Sequence, residues 1–419
     1  MRLDYRKTFL IGFGFFASSL AWSLYNSFVP LMLEGYLAST AIIGTIMTID
    51  NFFGVIFQPL IGQVSDRTHT RFGKRMPYIL IGIPVCAILF ALIPLMSSLM
   101  MMMAVIIGFN LIMSVWRSPV VALMPDMTPA PLRSKANGVI NLMGGVGSII
   151  AFVLGQRLYN LAGFSLPFLA GSIVMVLAGI MLFIFVKEPD TRRMARRLEQ
   201  TEAEFAAEAA AADALEKSAE KGIRHLSGPE KRSLISLLLA IFFWFCGFNA
   251  VEAFFTLYVK NVFNIVDTLS LAIFSIAFVA FALPSGILAG HIGRKRMIVI
   301  GLIGIIAVFT PMLFLQNLLI MRILLFAGGI FWACININSL PMVVELASPE
   351  RLGSFTGYYY FFSFSAAIAS PILFGLLRDL TQNYSTLFIY SIVAFFLALI
   401  ALIFVRHGEA QTELSVKVE

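Results

Sequence analysis

Twelve apolar segments run through this chain of 419 residues, and each is long enough to cross a lipid bilayer. About 20 consecutive apolar residues are needed to span the ~30 Å hydrocarbon core of a membrane. We number these segments spans 1 to 12. They cover residues 9–33, 40–64, 77–95, 99–123, 137–160, 166–186, 233–258, 268–290, 297–315, 318–342, 352–377 and 385–405. Such uninterrupted apolar runs exclude a membrane β-barrel, whose strands alternate apolar and polar residues. The sequence therefore predicts an all-α membrane protein.

The composition agrees with this prediction. Hydrophobic residues make up 59% of the chain and charged residues only 13%. A soluble globular protein could not cover so much apolar surface with polar groups. Span 1 is too long for a signal-peptide core and has no small-residue cleavage site, so we expect it to remain in the protein. Cys86, Cys246 and Cys334 lie within spans without metal-ligand spacing, and we interpret them as small core residues.

The basic residues predict the orientation in the membrane. If the amino terminus is cytoplasmic, most of the 30 Lys and Arg residues fall in the inner loops and tails, and only Arg157, Lys260 and Arg378 lie at the outer ends of spans or in outer loops. The positive-inside rule then places both termini in the cytoplasm. The net charge of +7 reports this topology, so we expect no nucleic-acid partner. We predict a multi-pass protein of the cell (inner) membrane that works as a monomer.

A long hydrophilic segment separates span 6 from span 7. Its centre, residues 192–221, is rich in Ala, Glu and Arg, which favour a helix. We predict four regions: an N-terminal six-helix half over 1–186, a partly helical cytoplasmic linker over 187–232, a C-terminal six-helix half over 233–405 and a cytoplasmic tail over 406–419.

The two halves share motifs at an offset of about 220 residues, which is typical of duplicated transporter halves. Span 2 runs into Gly62, Asp66 and the tetrapeptide 73–76, Gly-Lys-Arg-Met; span 8 runs into Gly286, Gly290 and the pentapeptide 293–297, Gly-Arg-Lys-Arg-Met. Asp126, Thr128, Pro129 and Arg133 after span 4 correspond to Glu345, Ser348, Pro349 and Arg351 after span 10. Gly290 stands at the position that corresponds to Asp66. If the Asp66 carboxylate helps to close the cytoplasmic side, we therefore expect this contact in the first half only.

These motifs resemble the major facilitator superfamily over nearly the whole chain. The stretch around span 2 is similar to the sucrose and maltose proton symporters, a branch related to the glycoside-pentoside-hexuronide cation symporters. The matching residues are Gly54, Gln58, Pro59, Gly62, Ser65, Asp66, Arg67, Thr70, Arg71, Phe72, Gly73, Lys74, Arg75, Pro77 and Tyr78. The resemblance implies two pseudo-symmetric six-helix halves, a sugar substrate and transport by alternating access.

Two departures from related patterns bear on the coupling ion and on Arg117. Melibiose-type sodium symporters carry Asp-x-x-x-Asp-Pro in this helix, whereas this chain has Gly54, Gln58 and Pro59. We therefore expect a proton as the coupling ion, with no sodium and no other cofactor. Plant sucrose carriers place an Arg directly before Ala-Leu at the end of span 4. Here Val121 occupies that position and Arg117 lies one turn earlier, so its role is inferred only from the shared helix face.

Polar side chains are unevenly distributed among the spans. Spans 3, 6, 9 and 12 contain no charged or amide side chain, and we expect them to stand away from the polar path. Charged and amide groups at membrane depth belong in the bundle interior, and an indole offers an apolar face and a donor for a sugar ring. The candidate substrate-binding residues are Trp22, Asn26, Asn51, Gln58, Asn110, Arg117, Asn141, Asn249, Trp332 and Asn336.

Asp50 is the first candidate for proton coupling, and Glu252 is the second. Counting ~1.5 Å per residue from Val64 places Asp50 ~21 Å from the cytoplasmic end, near the bilayer centre. Desolvation there disfavours the charged carboxylate, so the group can exchange a proton as a cavity opens and closes. The alternative is a permanently hydrogen-bonded Asp50 that joins span 2 to span 1 or 4. For Arg117 the alternatives are contact with substrate or Asp50 and a purely structural pair.

A run of charges after span 2 is the candidate cytoplasmic gate. It contains Asp66, Arg67, Arg71, Lys74 and Arg75, with Asp126 and Arg133 after span 4. We expect Asp66 to meet the amino terminus of span 11 near Gly353, or a basic partner on a neighbouring helix. The alternative is a solvated run that sets topology.

Near the outer side, depth matching predicts an ion pair between Glu252 and Arg322. This pair would brace the second half or contribute to an outer gate. In the alternative, Arg322 snorkels to the headgroups and Glu252 acts alone. Helical periodicity does not decide which of Tyr358, Tyr359 and Tyr360 faces the cavity.

Proton-driven uptake of a disaccharide or glucoside is the function that these features favour. Export of a drug-like or amphiphilic compound is the transport alternative, because Met-rich and aromatic cavities suit apolar cargo. A receptor or sensor would be expected to have an appended signalling domain. An enzyme would need a nucleophile, a His dyad or a metal cluster, and the sequence offers none within the spans.

Overall fold

The computed structural model describes residues 3–129, 132–188, 228–346 and 352–406. Regular secondary structure in these residues is helical, and twelve of the helical spans are long and apolar enough to cross a membrane. The predicted all-α fold of twelve spans is confirmed. The predicted linker helix at 192–221, and the corresponding residues Ser348, Pro349 and Arg351, lie outside the described residues.

The helices extend past most of the apolar segments. In the first half the spans are Tyr5–Glu34, Thr40–Met47 continued by Ile49–Asp66, Met76–Leu92 with the 3-10 turn Ile93–Leu95, Leu99–Met127, Arg133–Ala162 and Ser165–Phe185. In the second half they are Gly228–Phe263, Leu269–Ile292, Arg294–Met312, Leu318–Val344, Leu352–Thr381 and Thr386–Ile403. Side-chain caps define several of their starts: the Ser39, Ser98 and Asn317 side chains accept the N–H of the residue three positions on, which satisfies an otherwise unbonded donor.

The described residues form two compact units. The first contains the described residues up to 188 together with Phe255–Ala272, and the second contains residues 228–254 and those from Ile273 onward. In the first unit span 1 packs on spans 5 and 6, while span 3 packs on spans 4 and 6. In the second unit span 9 packs on spans 10 and 12.

Small residues permit the close packing of span 5 on span 1. A Cβ added at Gly144 would lie 2.9 Å from Ser19 Oγ, and one added at Gly147 would overlap the Phe16 carbonyl. Glycine at both positions thus permits the close approach of the two helices. All three cysteines are buried and unbridged, as expected for core residues.

Candidate functional site

Span 2 is interrupted at Thr48, two residues before Asp50. The Thr48 hydroxyl donates to the Thr45 carbonyl at 2.8 Å, and a side-chain bond of this kind competes with regular helical bonding. Asp50 therefore lies in the first turn of the helix Ile49–Asp66, where exposed backbone N–H groups favour a negative charge. The Asn51 side chain donates to Asp50 Oδ1 at 2.9 Å. This local arrangement presents a half-buried carboxylate inside a membrane span.

Asp50 interacts electrostatically with groups on two other spans. Its carboxylate lies close enough to influence Arg117 of span 4 and Tyr25 of span 1. Asp50 and Arg117 are both half-buried, although the residue count placed them at different depths. Groups on spans 1, 2 and 4 are thus electrostatically coupled inside the first unit.

Tyr25 is the member of this group that the sequence did not reveal. It is fully buried, its ring stacks on Phe109 at 5.5 Å, and its hydroxyl accepts a hydrogen bond from Asn110 Nδ2 at 3.2 Å. Its sequence signal was its position, three residues after Trp22 and directly before Asn26. Asn110 is fully buried as well, so it acts on the site through Tyr25 in this structure.

Trp22 lies at the edge of the same aromatic cluster. Its ring contacts Tyr25 edge-on at 5.6 Å and Phe109 at 5.8 Å. Among the described residues, its buried indole N–H has no hydrogen-bond partner, and neither has the Oδ1 atom of Asn110. The cluster therefore holds one unused donor and one unused acceptor, and Asn26 is half-buried one residue beyond Tyr25.

The other first-half candidates lie along spans 2 and 5. The Gln58 side chain is half-buried, and its backbone carbonyl accepts from Ser118 Oγ at 2.8 Å, which joins span 2 to span 4. Asn141 is exposed, and its amide donates to the Asn137 carbonyl at 2.9 Å. Substrate contact by either residue stays a prediction.

The second unit places its candidates in an aromatic setting. Trp332 is buried and stacks on Phe248 at 4.1 Å with an interplanar angle of 3°. Asn249 donates to the Phe245 carbonyl at 2.8 Å, and Asn336 is half-buried. In this structure a phenylalanine covers one face of the Trp332 indole, so the sugar stacking predicted there remains a prediction.

The three tyrosines of span 11 point in different directions. Tyr359 is buried, and its hydroxyl lies 3.0 Å from Ser339 Oγ of span 10. Tyr358 is half-buried and Tyr360 is exposed. Tyr359 is therefore the tyrosine that faces span 10. Glu252 and Arg322 are both half-buried in the second unit, and the ion pair predicted between them stays a prediction.

Arg75, directly before span 3, is the centre of a charge cluster. Its guanidinium bonds Asp66, lies 2.8 Å from Asp126, and also contacts Ser65 Oγ. Lys74 lies 3.2 Å from Asp126 and 3.8 Å from Asp66. We call Asp66, Lys74, Arg75 and Asp126 the Arg75 cluster. Asp66 therefore has a basic partner next to the neighbouring helix, while its predicted contact with span 11 stays a prediction.

The remaining candidate gate residues lie outside the Arg75 cluster. Arg67 is exposed, and the Arg71 guanidinium lies 4.5 Å from the ring centroid of its neighbour Phe72. Arg133 donates to the carbonyls of Pro125 and Thr128 at 3.1 and 3.3 Å, so it caps the end of span 4.

Glu188, three residues past the end of span 6, joins the Arg75 cluster from a distant part of the chain. Its Oε2 accepts the backbone N–H groups of Arg75 at 2.9 Å and Met76 at 3.1 Å. Burial raises the pKa of the Glu188 carboxyl, and these two hydrogen bonds oppose that rise. Sequence analysis did not identify Glu188.

The turn between spans 8 and 9 repeats part of this arrangement. Gly73 and Gly293 both have positive φ, 101° and 95°, which only glycine adopts without strain. The basic residue after Gly293 is Arg294, and it forms an ion pair with Glu345 at the end of span 10. The ion pairs therefore follow the internal repeat seen in the sequence.

The described residues contain twelve helices that could cross a membrane, several with ionisable groups inside them, and the sequence repeats motifs between its halves. These are features of polytopic transporters. The chain belongs to the Major Facilitator Superfamily, whose family model matches residues 11–272 and 265–418. Its fold is similar to that of a bacterial homolog of the human lysosomal transporter Spinster, with a TM-score of 0.68, 12% identity, and coverage of 97% of this chain and 95% of the other.

Similar proteins align with this chain over its full length or over part of it. An uncharacterized MFS-type transporter of Methanocaldococcus jannaschii, MJ1317, is 23% identical over 416 residues, 96% of this chain and 95% of that protein. The isoprimeverose transporter of Lactiplantibacillus pentosus is 27% identical over 183 residues, 40% of this chain and 38% of that protein. The general alpha-glucoside permease of Schizosaccharomyces pombe is 28% identical over 154 residues, 32% of this chain and 27% of that protein.

Proposed function

We propose that this protein is a secondary active transporter that takes up a sugar, a disaccharide or glucoside, together with protons by alternating access. The observation behind this proposal is the electrostatic influence of Asp50 on Arg117 and Tyr25 within the membrane-spanning part of the first unit. A carboxylate beside a guanidinium inside a membrane is costly unless the two charges compensate each other. In such a pair, protonation of the carboxylate can replace its interaction with the guanidinium.

The proposed coupling step follows from this pair. While Asp50 is ionised, Arg117 neutralises it, and the Asn51 side chain adds a hydrogen bond to Asp50 Oδ1. Protonation of Asp50 removes the charge that holds the guanidinium. Arg117 is then free to donate hydrogen bonds to hydroxyl groups of the substrate, so that the proton and the sugar bind together.

Two observations favour a sugar as the cargo. The named relatives that match locally include an isoprimeverose transporter and an alpha-glucoside permease. The aromatic cluster around Trp22 also holds a buried indole donor and a buried amide acceptor that have no partner among the described residues. A hydroxyl group both donates and accepts hydrogen bonds, so a sugar would satisfy both atoms if alternating access opened this cluster.

The proton is the proposed coupling ion because the sodium-type pattern in span 2 is incomplete. Gly54 has no side chain, and Gln58 contributes an amide without a charge, whereas a hard cation requires several oxygen ligands. The distribution of basic residues supports the location proposed for the protein, a cell membrane with both termini in the cytoplasm.

Uptake by purified protein in proteoliposomes tests this function. The vesicles receive an inward proton gradient and, one at a time, labelled isoprimeverose, maltose, sucrose and glucose. We expect accumulation of at least one disaccharide or glucoside above its external concentration, sensitivity to a protonophore, and no change when choline replaces sodium. Accumulation that requires sodium would contradict proton coupling. Transport of amphiphilic dyes without saturable transport of any sugar would favour the exporter alternative.

A further inference from the structure

Span 3 begins without a cap from its own sequence. Its N-cap residue is Arg75, whose side chain makes no capping hydrogen bond. The first helical N–H groups nevertheless have an acceptor, because Glu188 Oε2 bonds both Arg75 N and Met76 N, at 2.9 and 3.1 Å. A carboxylate is well suited to this position, since it accepts from the free N–H groups and complements the positive end of the helix dipole.

Gly73 makes room for this cap. A Cβ added at residue 73 would overlap the Cβ and carboxylate of Glu188. The same residue has a φ of 101°, which strains any side chain larger than hydrogen. Glycine at this position therefore meets two separate requirements, one for the turn of the backbone and one for the approach of Glu188.

The residue capped by Glu188 is also the residue that organises the Arg75 cluster. The Arg75 backbone bonds Glu188, while its guanidinium bonds Asp66 at the end of span 2 and Asp126 near the end of span 4. Glu188 thus fixes the main chain from which the guanidinium reaches two neighbouring spans. The side chain of Arg75 is only 5% exposed, so a small displacement of its backbone would leave these charges poorly paired.

We propose that Glu188 is a positioning residue of the transport cycle: its carboxyl holds the start of span 3 so that Arg75 closes the cluster, the neutral acid holds it more firmly than the buried carboxylate, and loss of the proton loosens the cluster. The inference requires only that the protein is a transporter with a moving Arg75 cluster. It does not depend on the sugar or on the coupling ion.

The electrostatic setting makes Glu188 a suitable proton acceptor. Burial is the main cause of its raised pKa; the nearby Asp126 carboxylate raises it further, while the two backbone hydrogen bonds and the Arg75 charge lower it. Lys74 and Asp66 complete the charged groups of the cluster. Because the pKa in the folded protein is raised, the folded state favours the protonated form more than the unfolded chain does. Any stability that this group contributes is present at low pH and is lost as the pH rises through the raised pKa.

Two substitutions separate the hydrogen bonds of Glu188 from its charge. Glu188→Gln keeps an acceptor oxygen but cannot ionise, so we expect an apparent Tm at neutral pH equal to or above that of the wild type. Glu188→Ala leaves two N–H groups without their acceptor, and we expect the apparent Tm to fall by about 2–4 °C. The neighbouring exposed residue Lys187 provides the control, because Lys187→Gln changes a charge without touching the cap.

Hydrogen exchange of the full chain tests the inference without reference to any substrate. Peptides covering residues 73–80 are followed by mass spectrometry between pH 5 and pH 8, with intrinsic rates corrected at each pH. We expect the wild type to lose protection as the pH rises, by no more than about five-fold, the value for loss of one cap, because the buried carboxyl is less stable when ionised. Glu188→Gln should show constant protection. Identical pH dependence in the two proteins, or unchanged protection in Glu188→Ala, would overturn the inference.

Gly73 and Gly163 form a matched pair for the steric part of the argument. Both have positive φ, 101° and 67°, but a Cβ at Gly163 would meet nothing within 4 Å. Gly163→Ala therefore measures backbone strain alone, and Gly73→Ala adds the collision with Glu188. We expect the larger loss of protection and Tm for Gly73→Ala, with part of that loss absent when Glu188→Ala is already present. The proposed position of Glu188 against Gly73 would be contradicted if both glycine variants lost the same protection and Tm, and if the effects of Gly73→Ala and Glu188→Ala were strictly additive.

Transport measurements connect the cap to function. Exchange of labelled maltose in proteoliposomes is measured while the pH on the two faces is varied separately, and wild type is compared with Glu188→Gln. We expect a dependence on the pH of the face carrying the Arg75 cluster that Glu188→Gln lacks. If no sugar is exchanged by any variant while pH-dependent protection of span 3 persists, the sugar proposal fails and the role of Glu188 stands. If exchange has the same pH dependence in both proteins, the proposed role in the cycle is wrong.

Discussion

The turns after spans 2 and 8 share a repeat but differ in their surroundings. Both contain a glycine at positive φ and place a basic residue against an acidic residue near the end of the next-but-one span. The Arg75 side chain is 5% exposed and contacts two carboxylates and a serine hydroxyl. The Arg294 side chain is 31% exposed and pairs with Glu345. The turn is therefore common to both halves, whereas Arg75 in the first half is more buried and has more partners than Arg294 in the second.

The candidate residues inside the spans also differ between the two halves. In the first unit Asp50 influences Arg117 and Tyr25 electrostatically, whereas in the second Trp332 stacks on Phe248 and the Tyr359 hydroxyl contacts Ser339. Electrostatic coupling between candidate residues of different spans is thus described in the first half, whereas the described contacts of Trp332 and Tyr359 in the second are stacking and a hydroxyl contact. From this difference we expect substitutions of charged residues to have larger effects in the first half.

The largest effect is expected at Asp50. Asp50→Asn cannot release a proton, so sugar accumulation under a proton gradient should fall to the level of protein-free vesicles, while exchange of sugar down its own gradient persists. Glu252→Gln is the matched variant in the second half, and we expect it to retain part of the accumulation. Loss of accumulation in Glu252→Gln alone would assign coupling to the second half and reverse the comparison.

A large loss of stability is expected for Arg75→Gln. The substitution leaves the carboxylates of Asp66 and Asp126 without their main partner, which typically costs about 3–5 kcal/mol for a buried pair. Partial exposure of Asp66 places the expected value at the lower end of that range. Denaturant unfolding in detergent measures the change. Lys187→Gln is the exposed control and should stay within about 0.5 kcal/mol of wild type.

An intermediate effect is expected for the hypothesised pair Glu252 and Arg322. Neutralising one partner leaves the other charge uncompensated, so Glu252→Gln or Arg322→Gln alone should destabilise the protein by about 1–3 kcal/mol. The double variant should be less damaging than the sum of the two. Additive losses in this double-mutant cycle would show that the side chains are not coupled. Glu252 would then stand as an independent carboxylate.

The smallest effect is expected for Arg294 and Glu345. Their partial exposure weakens the interaction, and a cycle of Arg294→Gln and Glu345→Gln should give a coupling energy of about 0.2–1 kcal/mol. The same cycle on Arg75 and Asp126 should give a clearly larger value. Equal coupling energies would remove the energetic distinction between the two turns and leave only their geometry different.

Much of the architecture was predictable because it depends on local properties of the chain. The length of each apolar run determines whether a helix can cross the bilayer, and the basic loops predict its orientation. Motif spacing likewise identified the turn after span 2 and its repeat. Asp50, Arg117 and Arg75 were found by the same argument, because an ionisable residue within or beside a span stands out in the sequence.

Contacts between distant segments were decided only by the tertiary structure. Glu188 lies 113 residues from Arg75, and no periodicity links the end of span 6 to the start of span 3. Tyr25 looked like an ordinary aromatic core residue until packing placed its hydroxyl against Asn110. The sequence did not distinguish the three adjacent tyrosines of span 11. The structure shows that Tyr359 is the one whose hydroxyl contacts Ser339 of span 10. The apolar pattern of a helix determines that it enters the membrane, but the side chain that meets a given group depends on how the helices pack.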